Sequence, residues 1–184
     1  MNIVIAITGA TGTCFGIRLL EVMKELKINT HLIISKWAQK TIELETSYSL
    51  DDIYGLATHY YDEDNQAAAI ASGSFKHQGM VIIPCSMKTL GSIANGIADN
   101  LIHRSADVTL KEQRKLILAV RETPLTAIQL ENMLKLSRLG VVIMPPVPAF
   151  YHKPQTISEI VDHFVGRILD QLNVEHKLTK PWGS

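Results

Sequence analysis

Residues 80–123, MVIIPCSMKTLGSIANGIADNLIHRSADVTLKEQRKLILAVRET, constrain the fold more than any other part of the chain. An apolar run rich in Val and Ile, a tight polar turn, helical sequence and a second apolar run follow one another. That order is a strand–helix–strand unit of a parallel sheet. In an open parallel sheet the loops after the strands line the ligand crevice. The turn Ser86-Met87-Lys88-Thr89 and the pair Arg121-Glu122 are therefore expected to share one site. Hydroxyls, an ammonium and unpaired N–H groups at a helix start suit a phosphate, so the expected occupant is anionic.

The rest of the chain repeats this alternation. Residues 3–8 form a β-branched run that ends in Gly9-Ala10-Thr11-Gly12. Helical sequence follows, with Phe15, Leu19, Leu20, Met23 and Leu26 as its inward stripe. Strand, glycine turn and helix are the opening of a nucleotide-binding α/β unit. Residues 30–35 read as the second strand and 37–45 as a helix. Ser49 caps another helix start, with Asp51 and Asp52 in its first turn. Residues 59–61 read as a short edge strand, and Asp62-Glu63-Asp64 as a solvated turn rather than a metal site. The Gly/Ser-rich segment 66–74 has side chains small enough to lie close to a ligand. Residues 127–139 read as an amphipathic helix with Gly140 at C′, and 141–144 as a buried strand. That strand runs into the stiff segment Pro145-Pro146-Val147-Pro148-Ala149-Phe150-Tyr151. A capping box at Thr156 and Glu159 opens a last helix, which passes Arg167 and ends near Leu172. A polar tail, about 173–184, closes the chain. The expectation is one domain over 1–184, a three-layer α/β/α Rossmann-like sandwich around a mainly parallel sheet.

Composition excludes some partners. At 184 residues and 46% hydrophobic content the chain can bury a substantial core. Lys plus Arg (18) equals Asp plus Glu (18), so no global basic field attracts nucleic acid or an anionic membrane. The longest apolar runs are too short to span a bilayer, and no charged segment precedes the apolar run at the start. A cytoplasmic protein is expected. Cys14 and Cys85 form no CxxC pair, which argues against a disulfide framework or a zinc site. Both are expected to be small buried residues beside a binding turn.

The glycine turn narrows the ligand. Thr8-Gly9-Ala10-Thr11-Gly12 starts like a dinucleotide fingerprint, but the next glycine is Gly16, and the second strand ends in Ser35 rather than an acidic residue. NAD is disfavoured. A Walker loop is excluded because no Lys-Ser or Lys-Thr follows at the required distance. Two phosphate-friendly turns and the Ser35 hydroxyl suit a mononucleotide such as FMN.

The segments TGATG, ETSYSL, ASGSF, GMVIIPCSMKTL, DNLIHRSADVTLKE, RETPL, LENMLKLSRLG, PPVPAFYHKP and VDHFVGRILDQL occur in this order along essentially the whole chain. In these motifs the chain resembles the UbiX/Pad-type flavin prenyltransferases. The resemblance implies a Rossmann-like flavoprotein assembled as a homo-dodecamer. It also implies a metal-independent reaction in which reduced FMN and dimethylallyl monophosphate give prenylated FMN and phosphate. The product then serves a UbiD-type decarboxylase of aromatic or unsaturated acids. By the same resemblance Gly9, Ala10, Thr11, Ser35, Ser86, Met87, Lys88, Thr89 and Arg121 match flavin-binding positions. Tyr151 and Arg167 match those that hold the prenyl phosphate, with Arg104 and Lys111 nearby. Glu45, Glu122 and Trp182 match further active-site positions. Two residues depart from the pattern: Thr11 stands where serine is common, and Gln129 where histidine is usual.

These residue types suit the chemistry. The barrier lies in breaking an allylic C–O bond while charge gathers on the departing phosphate, and fixed donors such as Arg104, Lys111, Tyr151 and Arg167 would meet that charge. Ring closure needs proton movement, for which Glu122 stands first and Glu45 second. Trp182 offers an aromatic face to an allylic cation. Two other functions share the fold or the ligand. One is an FMN-dependent decarboxylase of cysteine-derived substrates, whose members carry a catalytic His in the first helix, where this chain has none. The other is a non-catalytic flavin-carrying subunit of a phenolic acid decarboxylase, which would need no second phosphate clamp.

Overall fold

Six strands, β1 (Asn2–Ile7), β2 (Asn29–Ile34), β3 (His59–Tyr61), β4 (Gly79–Cys85), β5 (Lys115–Val120) and β6 (Val142–Ile143), form one sheet in the computed structural model, which describes residues 1–179. Their order is β3-β2-β1-β4-β5-β6, and every neighbouring pair is parallel. A parallel sheet covered on both faces needs strands that are apolar throughout, and β1 and β4 are built from Ile, Val, Ala and Met that are fully buried. Among the described residues seven α-helices cover the sheet: α1 (Thr13–Glu25), α2 (Lys36–Glu45), α3 (Leu50–Tyr54), α4 (Met87–Ala94), α5 (Leu101–Lys111), α6 (Ala127–Arg138) and α7 (Ile157–Gln171). On one face Ile3, Ile5 and Ile7 meet Leu19, Leu20 and Met23 of α1 and Val165, Ile168 and Leu169 of α7. On the other, Val4, Ala6, Met80 and Ile82 meet Leu90 of α4, Leu101, Ile102 and Ala106 of α5, and Leu136 of α6. This is the three-layer α/β/α arrangement.

Local signals fix the joints. Gly12 ends the first loop at φ +95°, a left-handed conformation that glycine adopts without strain, and α1 begins at the next residue. Gly16 lets α1 cross β4 closely, because a Cβ there would stand 2.5 Å from the Ile83 carbonyl oxygen. Ser49 and Asp52 form a complete capping box, and Gly140 takes φ +85° after α6. At the start of α7 the Thr156 hydroxyl accepts from the Glu159 N–H, but the Glu159 carboxylate accepts from Gln155 N–H instead of closing the box on Thr156.

Further expectations need correction. In place of a buried strand over 141–144, β6 spans only Val142–Ile143, both half-buried. Leu26 lies past the last turn of α1 and is exposed, so the inward stripe ends at Met23. Cys14 is exposed in the first turn of α1, and only Cys85 is buried. Segment 66–74 lines no part of the ligand cleft described below. Ala68 and Ile70 enter the core, and Arg104 of α5 donates to the Ala71 carbonyl. In α6 only Leu136 is buried, while Ile128, Leu130 and Leu134 are exposed, so much of its apolar side faces away from this protomer's core.

Candidate active site

β1 and β4 are neighbours in the sheet, yet the helix after β1 covers one face and the helix after β4 the other. Their exit loops therefore part and leave a crevice at the point where the strand order reverses. Buried Thr8 pins the two loops together: its hydroxyl donates to the Pro84 carbonyl (2.7 Å) and accepts from the Ser86 N–H (2.8 Å). The crevice is a cleft of about 680 Å³, within the range of small-molecule sites. Gly9, Ala10, Thr11, Ser35, Ser86, Met87, Lys88, Thr89, Arg121 and Glu122 all line it. The turn 86–89 and the pair Arg121-Glu122 thus meet as the sequence pattern required.

Helix starts surround this cleft. Ser35 caps α2 by accepting from Ala38 N–H, Ser86 caps α4 by accepting from Thr89 N–H, and Asn100 caps α5 by accepting from His103 N–H. The first turns of these helices add partial positive charge and N–H groups without intrahelical acceptors. The start of α1 is different. Its N-cap is Gly12, which has no side chain, and the Glu45 carboxylate takes over by accepting from Gly12 N–H (2.9 Å), Thr13 N–H (3.0 Å) and the Thr13 hydroxyl (2.9 Å). Burial pushes the Glu45 carboxyl up, but hydrogen bonds from Thr11, Thr13 and Gly12 outweigh it and hold the group below its ordinary value. An internal carboxylate therefore occupies the α1 start; Glu63 likewise accepts from Lys36 N–H at the α2 start and from Leu101 N–H at the α5 start, so the open helix start is that of α4. Ser35, Ser86, Lys88 and Thr89 supply the donor set for a phosphate at that end. The residues present fit a phosphorylated flavin.

A second hollow adjoins the first. It is lined by Thr11, Gly12, Phe15, Val120, Arg121, Glu122, Thr123 and residues 145–148, and shares Thr11, Arg121 and Glu122 with the flavin-sized cleft. Its proline wall is where the extended segment after β6 leaves the sheet, and Phe15 stands edge-on to Phe164 of α7 at 5.2 Å. Arg104, Lys111, Tyr151 and Arg167 line neither hollow. Arg104 donates to Ala71 O and Asp107, and Lys111 lies 3.4 Å from Glu112. The Tyr151 hydroxyl is 2.8 Å from His163 Nε2, and Arg167 donates to Asp170 at 2.7 Å. Trp182 lies outside the described residues.

The structure adds cleft residues that the turn patterns did not mark: Lys36, Trp37, Glu63, Asn100, Ile102 and His103. Glu63 belongs to a triplet that reads as a solvated turn. Asp62 and Asp64 are exposed, but Glu63 joins two helix starts, its carboxylate accepting from Lys36 N–H and its carbonyl from Leu101 N–H. Asn100 was legible as a helix N-cap immediately before an apolar-periodic run.

The flavoprotein family model matches residues 1–169. A probable UbiX-like flavin prenyltransferase of Escherichia coli O157:H7 is 52% identical over 99% of this chain and 93% of its own. The chain belongs to the flavoprotein family, among the UbiX-like flavin prenyltransferases. Among solved members, a dodecameric FMN-dependent UbiX-like decarboxylase from Escherichia coli O157:H7 matches with TM-score 0.98 and 52% identity, covering both chains completely. AnUbiX in complex with FMN and dimethylallyl pyrophosphate matches with TM-score 0.98 and 47% identity over all of this chain and 97% of its own. The peptidyl-cysteine decarboxylase EpiD shares only the fold, at 18% identity and TM-score 0.64 over 80% of this chain and 82% of its own.

Proposed function

We propose that this UbiX-like chain is a flavin prenyltransferase that joins the dimethylallyl group of dimethylallyl monophosphate to reduced FMN and releases phosphate. The observation that carries the reading is the meeting of two hollows at Thr11, Arg121 and Glu122, one of flavin size with the open start of α4 and the other walled by prolines. FMN supplies the nucleophilic ring as the acceptor substrate. Ser35, Ser86, Lys88 and Thr89 hold its phosphate, and Gly9, Ala10, Thr11 and Arg121 border its ring. In the proline-walled hollow the dimethylallyl group is shielded from water beside Phe15.

The departing phosphate needs donors that neither hollow supplies in quantity. Arg104, Lys111, Tyr151 and Arg167 fill that role in the assembled protein. Arg104, Lys111 and Arg167 now pair with Asp107, Glu112 and Asp170 at the protomer surface, so neighbouring protomers of a homo-oligomer, on the family pattern a dodecamer, bring them to the site. Glu122, shared by both hollows, moves the proton of ring closure. Glu45, bonded to the α1 start and held ionised, acts as an acceptor in second place. Trp182 completes the family pattern as an aromatic face. The product serves a UbiD-type decarboxylase. The protein works in the cytoplasm; no described helix is long and apolar enough to cross a membrane. Helix α1, TCFGIRLLEVMKE, contains no His, against the reading as a decarboxylase of cysteine-derived substrates.

Anaerobic incubation of the protein with reduced FMN and dimethylallyl monophosphate tests this. A flavin heavier by one C5H8 unit, with stoichiometric phosphate, is expected. An unchanged flavin mass with no phosphate released rejects the reading.

A further inference from the structure

His103 stands in the first turn of α5, is 2% exposed, and lines the flavin cleft, yet the reaction as described gives it no task. Its Nδ1 lies 2.5 Å from Asp99 Oδ1. Its Nε2 has no partner among the described residues. The only described buried side-chain polar atom without one is Ser105 Oγ, so Nε2 must keep the ring's small accessible area, and the cavity this ring lines is the cleft. The imidazole is thus a buried polar group that lines the cleft, fixed at Nδ1 by a carboxylate and unpaired at Nε2 among the described residues. A core histidine would have both nitrogens satisfied inside the protein.

What faces Nε2 follows from the surroundings. The N–H groups at the α4 start and the Lys88 ammonium make this the anion-seeking end of the cleft, with the Glu63 carboxylate already engaged by Lys36 N–H at the α2 start. Hydrogen bonding from His103 holds the Asp99 carboxyl below its ordinary value, with Lys88 adding to the effect. We propose that His103, backed by Asp99, is a positioning residue that donates from Nε2 to the phosphate of FMN and so selects the phosphorylated flavin over riboflavin. With Asp99 on one nitrogen and phosphate oxygen on the other, both neighbours are acceptors, and the ring serves as a double donor. The inference rests on the proposed flavin site and adds a contact that the turn 86–89 does not provide.

The test is binding of oxidised FMN and riboflavin to the full chain, without prenyl donor, followed by flavin fluorescence. In His103→Leu the preference for FMN over riboflavin should fall on the order of tenfold, with riboflavin affinity unchanged. Asp99 is largely exposed, so Asp99→Asn keeps the fold and should lower the preference by about threefold. An unchanged preference in both variants, or equal loss for both flavins, overturns the proposal. Because no prenyl donor is present, failure here with prenyl transfer intact in the unsubstituted protein sinks this inference and leaves the transferase reading standing. Selective loss for FMN supports it even if no transfer is found.

Discussion

The flavin cleft and the proposed phosphate clamp are built in opposite ways. The cleft is tied into the sheet: Thr8 joins two strand exits, Glu45 organises the α1 loop, and Glu63 joins the starts of α2 and α5. Each tie connects segments distant in sequence, so the cleft is preorganised as soon as the protomer folds. The clamp residues sit on α5, α7 and the segment after the prolines, where Arg104, Lys111 and Arg167 pair with acids on their own or the adjoining turn. Exposed pairs of this kind are worth at most about 1 kcal/mol each, and a phosphate can displace the acids at little cost. On the proposed reading, one protomer completes the acceptor half of the site, while the donor half is left to be assembled.

Substitutions should split along this line. The largest effect is expected from Arg167→Ala, which should slow anaerobic prenyl transfer on the order of a hundredfold to a thousandfold, with FMN affinity within about twofold of the unsubstituted protein. An unchanged rate would remove Arg167 from the clamp. Acid should act at His31 of β2, which lines neither hollow. Burial and the nearby His59 and His77 push His31 down to about 4, while the unfolded chain titrates at the ordinary value near 6.5. Between those values the unfolded state binds the extra proton, so stability falls as pH drops from about 6.5 to about 4, by roughly 3 kcal/mol in all. Denaturant melts across this window should be visibly flatter in His31→Phe, and identical slopes would clear His31 of the effect.

A smaller change is expected from Thr8→Val, which removes the hydroxyl between the two exits and leaves the Ser86 N–H without its acceptor. About 2 kcal/mol of stability should be lost, together with FMN affinity. If FMN binding survives unweakened, the two loops are not a coupled unit. Glu45→Gln should cost about 1 kcal/mol at neutral pH, since solvent screens this partly exposed group. The folded Glu45 titrates below its ordinary value near 4.5, so its contribution is full above that value and fades as the pH falls through the folded one. The difference between the two proteins should therefore shrink in acid.

How much of this the sequence disclosed follows the same division. The strands, the loops at the sheet's switch point and the cap at Ser49 were legible because apolar periodicity and short-range capping act within a few residues. Glu63 was not, because it gains its place from contacts with the starts of α2 and α5 and reads as one acid of a loop triplet; His103, bonded locally to Asp99 and Asn100, reads as one polar residue in a helix, and only the fold shows that it is buried and lines the cleft. The α6 stripe misled for a related reason. Periodicity reports that Ile128, Leu130 and Leu134 want cover, but not whether the cover comes from the same chain. The proposed clamp residues were named only through the family motifs.

Mixing two inactive variants tests the division most directly. Glu122→Ala damages the cleft and keeps Arg167; Arg167→Ala damages the clamp and keeps the cleft. If the clamp crosses between protomers, co-assembled mixtures should regain prenyl transfer, because some sites combine an intact cleft with a neighbour's intact arginine. Mixed oligomers that form but stay inactive at every ratio would contradict a site shared between protomers.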